Sequence, residues 1–474
     1  MLVCRRWHSI AIQTASLWTE IDLAARPSSA IYFLERSRAD PFRLRANIDE
    51  TENQQVQSII RHQRHRISQL ALRGPSSAQP EAHASLADVA MPVLRQLTLT
   101  FEPRSRADPS TRAHFAKPEH VPALRALLLS GALWVPVGIV PSLTHILVKN
   151  MKNVSVSLIW NLLCNTPMLE VFEMSSNTGL AVARSLTPSS GSSLTLPRLR
   201  CLTITCAYTN VVHYLVSRLD LPSINAVSFE FLFVQSGTLL ERLLPGSLAA
   251  HTPTRVTLVI GGDHHTFTAG FQGDGSTVTL SYFNSSDETT PPPEERRQWP
   301  FTTFPTLLSL ARVTTFRLSS SVWEPQDCLL RLGAHLGSVT ELCVMLDPNH
   351  DGSFNAAMAL RLARALARAL LADDPVVFPN LRSLDIDTVD TSRDFIAVLM
   401  PALAKRDLDG RRLRHLCVRI GALWPGDPHE DLRATGLFNR VDEGSCRRSD
   451  YSSRRNWERE IRHDMPRPPT HGYW

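Results

Sequence analysis

The sequence predicts a mixed α/β chain built as an irregular repeat solenoid, with parallel strands on one side and helices on the other. Three observations carry that prediction. A six-residue apolar phrase recurs along most of the 474 residues. A proline stands two residues ahead of the phrase in many copies. Between copies, apolar residues fall at the three- and four-residue spacing of amphipathic helices.

The phrase reads apolar, two variable residues, apolar, one variable, apolar. An early copy is Ile67-x-x-Leu70-x-Leu72. It returns at Leu94-x-x-Leu97-x-Leu99, Leu124-x-x-Leu127-x-Leu129, Leu143-x-x-Ile146-x-Val148, Leu169-x-x-Phe172-x-Met174, Leu199-x-x-Leu202-x-Ile204 and Ile224-x-x-Val227-x-Phe229. Further copies are Val313-x-x-Phe316-x-Leu318, Val339-x-x-Leu342-x-Val344, Leu381-x-x-Leu384-x-Ile386 and Leu413-x-x-Leu416-x-Val418, and a degenerate one is Pro253-x-x-Val256-x-Leu258. The last two apolar positions lie two apart, which is strand periodicity with both side chains on one face. An ordinary α/β domain also alternates strands with helices, but it does not require the same phrase each time.

Pro92, Pro122, Pro141, Pro167, Pro197, Pro222 and Pro379 hold the offset before the phrase. Proline cannot continue a helix and favours an extended residue before it, so it is expected to punctuate helix and strand. Helices are expected at Val156–Cys164, Val211–Leu219, Cys328–Leu336, Ala356–Leu371 and Phe395–Leu403. Strand, loop, helix, proline, strand is the unit of a leucine-rich repeat, and such units must stack because none buries its apolar face alone. The regular repeat carries Asn or Cys three residues after the third apolar position. Here that place holds Glu102, Ala132, Met151, Ala207 and Leu232, and only Asn177 fits. The loops must therefore satisfy their backbone differently, and an irregular arc is expected.

Composition agrees with a folded binding protein. Apolar residues make up 43% and charged residues 20%, enough to bury a core. A net charge of +5 over this length is a weak bias, and the arginines are scattered among acids, so no nucleic-acid partner is expected. Eight cysteines, at positions 4, 164, 201, 206, 328, 343, 417 and 446, form no C-x-x-C pair and fall mostly in apolar runs. That pattern fits a reduced compartment better than a disulfide scaffold. The first residues lack the apolar core of a signal peptide. No apolar run approaches the roughly 18 residues that span a bilayer. A cytoplasmic or nuclear protein without a membrane partner is expected.

Phrases that suggest chemistry are few. Gly261-Gly262-Asp263-His264-His265 offers metal-ligating types, but no H-x-x-x-H or H-x-x-E-H spacing completes a site, and it reads as a solvated loop. Gly270–Gly275 lacks the spacing and the lysine of a phosphate loop. Asp347–Gly352 lacks the twelfth-position Glu of a calcium loop and reads as a turn. No catalytic residue, cofactor site or metal site is expected. Arg361, Arg364 and Arg368 share one face of an Ala/Leu-rich helix. The solvated outer face of a repeat helix accounts for them; a basic docking stripe for an acidic partner or a membrane surface is the alternative.

At the N-terminus, Val3, Trp7 and Ile10/Ala11 fall on one helical face, and Ser16-Leu17-Trp18 follows a break. Physically this is a short amphipathic helix and an aromatic anchor, suited to capping a repeat array. The wording Leu2-Val3-Cys4-Arg5-Arg6-Trp7, then Ile10-Ala11, then Ser16-Leu17-Trp18, resembles the last helix and tail of an F-box. Ile21-Asp22-Leu23, Phe33–Ser37 and Arg61–Leu72 are similar to the stretch that follows the F-box in fungal F-box proteins with degenerate leucine-rich repeats. The resemblance implies a substrate-recognition subunit of an SCF-type ubiquitin ligase. In that family the F-box docks on the Skp adaptor, which joins the cullin ligase, and the repeats hold a protein substrate. It places Leu2, Val3, Cys4, Trp7, Leu17 and Trp18 in or beside the adaptor-facing unit, some of them packing inside the F-box itself. The family's opening Leu-Pro-x-Glu phrase and two earlier helices are missing, so the resemblance implies an N-terminally truncated F-box. The alternative is a repeat scaffold that has lost ligase coupling.

The expected organisation is therefore an F-box remnant over 1–24 and a connecting region with a first repeat over 25–75. Degenerate repeats follow over 76–424, with a disordered insertion near 270–305 around a short strand-like Val278-Thr279-Leu280, and a tail over 425–474 that is either disordered or pinned to the last repeat through Trp457 or Trp474. Substrate contacts are expected on strand residues such as Thr98, Lys149, Thr203, Arg317 and Asp385, or on the loops.

Overall fold

The computed structural model describes residues 4–25, 27–48, 53–79, 89–102, 118–132, 140–151, 155–175, 193–233, 253–260, 264–270, 277–283, 308–320, 328–346, 356–373, 376–388, 393–420 and 440–445, with single positions 82, 86, 135, 244, 305, 435 and 437. It is a mixed α/β chain that divides into two compact units. Met1–Ala207 with Arg218–Ser223 form the first, and Tyr208–Ser217 with Ile224–Trp474 form the second.

The first unit opens with α1 (Arg5–Gln13), a 3-10 turn at Ala15–Trp18, β1 (Glu20–Asp22) and α2 (Pro27–Arg36). Then come β2 (Phe42–Asn47), α3 (Asn53–Gln63), β3 (Ile67–Gly74), β4 (Gln96–Phe101), β5 (Ala126–Ser130), β6 (His145–Lys149), α4 (Val156–Cys164), β7 (Val171–Ser175), β8 (Leu194–Thr195), β9 (Cys201–Thr205) and, in the second segment of this unit, β10 (Leu219–Asp220). β1 to β7 and then β9 pair in sequence order, all parallel. β8 and β10 form a separate parallel pair.

The recurring phrase governs this sheet. Its second apolar residues lie in register as Leu70, Leu97, Leu127, Ile146, Phe172 and Leu202. Its third ones align as Leu72, Leu99, Leu129, Val148, Met174 and Ile204. All of these, and the first residues of the copies, are buried. Alternate side chains of a strand face opposite sides, so the residues between them form the outward face.

The second unit holds α5 (Thr209–Val216), β11 (Ala226–Phe233), β12 (Arg255–Ile260), β13 (His264–Gly270), β14 (Thr277–Phe283), β15 (Thr315–Ser320), α6 (Cys328–Gly333), β16 (Glu341–Leu346), α7 (Ala356–Leu371), β17 (Ser383–Thr388), α8 (Arg393–Leu408), β18 (His415–Ile420) and β19 (Arg440–Ser445). β12 pairs parallel with β15, and β15 to β19 continue parallel in order. The same ladder appears, with Val256, Phe316, Leu342, Leu384 and Leu416 in register. β13 is different: it runs antiparallel to both β12 and β14, while β14 lies parallel to β11.

Three segments depart from the sequence reading. His264 and His265 begin β13 and are backbone-paired with β14 instead of lying in a loop. Residues 277–283 lie inside the insertion expected to loop out; they form β14 around the strand-like Val278-Thr279-Leu280, whose Val278 and Leu280 are buried. Residues 440–445, in a tail with no apolar periodicity, form β19 beside β18. For β13 and β19, a neighbouring strand supplies backbone partners to a segment whose own pattern is too weak to announce a strand.

The prolines do more precise work than separating helix from strand. Pro92 is the second residue of a four-residue turn closed by the Leu94 N–H donating to the Met91 carbonyl at 3.1 Å. The same closure joins Leu124 to Val121, Leu143 to Val140, Leu169 to Thr166, Leu199 to Leu196 and Leu381 to Phe378. Proline suits the second place of such a turn because its φ is preset. The residue that opens each turn is itself buried.

Strand exits use a second device. Gly131, Asn150 and Cys206 each stand two residues after the third apolar position, with φ of +65°, +52° and +52°. The following Ala132, Met151 and Ala207 are fully buried. A left-handed residue thus turns the chain and drops a small or flexible apolar side chain where the regular repeat holds Asn. The Gly131 carbonyl accepts a buried bond from the Gln79 side-chain amide at 3.0 Å. Among the described residues, no helix is long and apolar enough to cross a membrane.

Candidate functional site

Two surfaces gather the residues that the sequence singles out: the N-terminal helical module and the outward faces of the strands.

In the module, Thr14 ends α1, its N–H and its hydroxyl both donating to the Ile10 carbonyl. Trp18 then closes the chain back on the helix. Its indole N–H donates to the Ala11 carbonyl at 2.7 Å. Its ring meets Tyr32 and Phe33 of α2 edge-on, with centroids 5.7 and 5.1 Å apart. The Arg36 guanidinium lies 4.9 Å over the Trp18 ring and 3.7 Å over the Tyr32 ring. Trp18 is therefore the half-buried residue that joins α1 to α2, and β1 ties the module to β2 through register pairs such as Ile21 with Leu44.

The rest of the module is unusually apolar outside. Trp7 is 64% exposed and Leu17 is 60% exposed. Ile10, Ile31 and Tyr32 are exposed as well, whereas elsewhere among the described residues only Val376 and Leu408 are exposed large apolar side chains. Cys4 is exposed just ahead of α1; Leu2 and Val3 lie outside the described residues. Beside the patch, Ile21 and Phe33 floor a cavity of about 310 Å³ rimmed by Glu20, Asp22, Arg43 and Arg45. Arg43 and Glu20 pair across the rim at 3.1 Å.

On the strands, Thr98, Thr203, Arg317 and Asp385 all stand between the second and third apolar residues of their copies, which is the centre of the outward face. In the first unit that row reads Ala71, Thr98, Leu128, Leu147, Glu173 and Thr203. Lys149 reaches it from the end of β6 by an ion pair of 3.7 Å with Glu173, and Glu173 is the register neighbour of Thr203. Lys149 and Thr203 are thus brought together, and Thr98 lies apart on β4. In the second unit the row reads Thr257, Arg317, Cys343, Asp385 and Cys417. Arg317 is exposed and Asp385 half-buried between two cysteines. The sequence reading missed Glu173, Cys343 and Cys417, although each occupies the same place in the phrase and could have been read from it.

Burial pushes the Cys201 thiol up, with the Thr203 contact opposing and the Glu173 charge adding to the shift, so it stays protonated. Burial likewise raises Cys164. Among the described residues no three His, Cys, Asp or Glu side chains lie close enough to hold a metal ion. Asp347–Asp351 and residues 271–276 lie outside the described residues.

Two buried arginines are absent from the sequence reading. Arg66 donates to the Asp40 carbonyl, the Gln63 side chain and the Ser37 hydroxyl. Arg406, fully buried, donates to the Phe378 carbonyl at 3.0 Å and the Val377 carbonyl at 3.5 Å. Phe378 has φ of +51°, a costly conformation for a bulky residue. Both guanidiniums clamp the turn that precedes a strand, a role no local pattern reports.

No family description matches this sequence, and no curated protein does so either.

Proposed function

We propose that this chain is the substrate-recognition subunit of an SCF-type ubiquitin ligase, docking the Skp adaptor through its N-terminal module and holding a protein substrate on leucine-rich repeats. The observation that carries the reading is the concentration of exposed apolar side chains at Trp7, Ile10, Leu17, Ile31 and Tyr32. Exposed apolar surface gathered in one segment marks an interaction site, and these residues fall on and beside the segment that resembles an F-box. The in-register phrase and its proline turns support the repeat reading. Outward rows that mix apolar, polar and charged side chains suit a protein substrate. The chain contributes binding and no chemical step.

The test is co-purification of the full chain with the Skp adaptor. Trp7→Asp with Leu17→Asp is expected to abolish it while leaving the circular dichroism melt intact, because both side chains are exposed. Adaptor binding that is absent in the parent, or insensitive to both substitutions, overturns the ligase reading. Retention of another protein partner would then favour a repeat scaffold without ligase coupling.

A further inference from the structure

The arginine stripe of α7 stands out once its burial is known. The helix reads AAMALRLARALARALL and contains no acidic residue. From Ala359 to Leu371, every exposed position is an arginine: Arg361, Arg364 and Arg368. The remaining positions, including Leu362, Leu366 and Leu370, are buried or half-buried. The three guanidiniums rise along the helix at intervals of about 4.5 and 6 Å. Solvated helix faces ordinarily mix signs, because like charges at these spacings disfavour the helix. Among the described residues Arg361 and Arg364 enter no ion pair.

Asp373, just past α7, pairs with Lys405 of α8 at 2.6 Å and with Arg411 at 3.6 Å, so the ends of the two helices meet. The exposed large apolar residues of this unit, among those described, are Val376 and Leu408, which flank that junction in sequence. Leu408 is 88% exposed.

We propose that the outer face of α7 is a docking surface for an acidic protein segment, its carboxylates on Arg361, Arg364 and Arg368. Arginine favours carboxylate because its planar fork makes two parallel hydrogen bonds. A membrane surface fits less well, since from Ala359 to Leu371 no exposed apolar side chain stands among the arginines to enter lipid. A nucleic-acid strand fits less well because no exposed aromatic ring accompanies the stripe among the described residues of this unit. The inference is independent of adaptor docking at the N-terminus.

The experiment uses the full chain and a fluorescein-labelled helical peptide with Glu along one face and Leu along the other, followed by anisotropy at low and physiological salt. The parent is expected to bind it in preference to the same peptide with Lys for Glu. R361E/R364E/R368E should weaken binding by about 10- to 100-fold, the loss expected for three exposed charge-assisted contacts. R361K/R364K/R368K should fall between, keeping charge and losing the fork. R95E/R125E/R200E, which makes the same change of net charge at exposed positions of the first unit, should leave affinity unchanged. Circular dichroism melts establish that each variant is folded, and R361Q/R364Q/R368Q replaces the reversal if it is not. The proposal is overturned if the parent shows no preference for the acidic peptide, or if the folded triple variant binds as the parent does. Tighter arginine-dependent binding to phosphatidylserine vesicles or duplex DNA than to the peptide also overturns it.

Discussion

Replacing Trp18 with alanine should release α1 from α2 and leave the strands in place. The substitution deletes an indole hydrogen bond to Ala11, two edge-on ring contacts and the stacking of Arg36. A net hydrogen bond contributes about 0.5–1.5 kcal/mol. Each aromatic pair adds about 0.5–1.5 kcal/mol, and an exposed cation–π contact about 0.5–1 kcal/mol. Together they amount to about 2–5 kcal/mol of local coupling, allowing for a half-buried site and for non-additivity. Native-state hydrogen exchange is the appropriate assay, because it resolves local opening from global unfolding. Amides of α1 and the Ala15–Trp18 turn should lose roughly 30-fold or more of their protection, since 1.4 kcal/mol is a factor of ten. Amides of β4 to β7 should exchange as before. Trp18→Phe, which keeps a ring and loses the N–H, should show a smaller local loss. Unchanged α1 exchange in Trp18→Ala would refute the argument that this ring is the joint. A fall in protection across β4 to β7 of equal size would refute the claim that the joint is local.

Further predictions concern the sheets and their turns. Leu384→Ala removes a fully buried rung from the middle of the second ladder and should cost about 2–5 kcal/mol in urea unfolding, whereas its outward neighbour in Asp385→Asn should cost far less. Gly131→Ala would drive a Cβ into the Phe101 carbonyl oxygen at a φ of +65°, while Gly410→Ala has open space at +72°. Both carry the left-handed strain of about 1–2 kcal/mol, so Gly131→Ala should be clearly the more destabilising by thermal melts. Burial lowers the Arg406 pKa to about 10, the nearby Arg411 charge adding to it and Asp409 opposing. A depressed cation pKa is a folding penalty present in full below that pH and relieved only as pH rises beyond it. Stability between pH 6 and 9 should therefore show no slope from this group, and a titration step there that disappears in Arg406→Met would contradict the assignment. Arg406→Met should be milder than Arg406→Ala, because it relieves the buried charge while filling the space, though both strand the Phe378 carbonyl.

The sequence by itself determined which residues face the core of each sheet. Every apolar position of the repeated phrase is buried, and the variable residue between its last two is half-buried or exposed in every copy but the one holding the buried Ser228, because strand alternation is a property of neighbouring residues. Helices at 156–164 and 356–371 were equally legible from their apolar spacing. Of the candidate site, the exposure of Trp7 and Leu17 and the inward role of Trp18 were not: all three are large and apolar, and only the packing of α2 distinguishes the residue that is covered. The antiparallel run of β12, β13 and β14 was hidden as well, since its segments find backbone partners in strands whose edges exist only after folding. The same holds for the buried bonds that lock the turns, from Gln79 to Gly131, Arg66 to Ser37 and Arg406 to Phe378. Their partners stand 52, 29 and 28 residues apart, a separation that no local periodicity encodes and that tertiary packing alone brings within 3 Å or so.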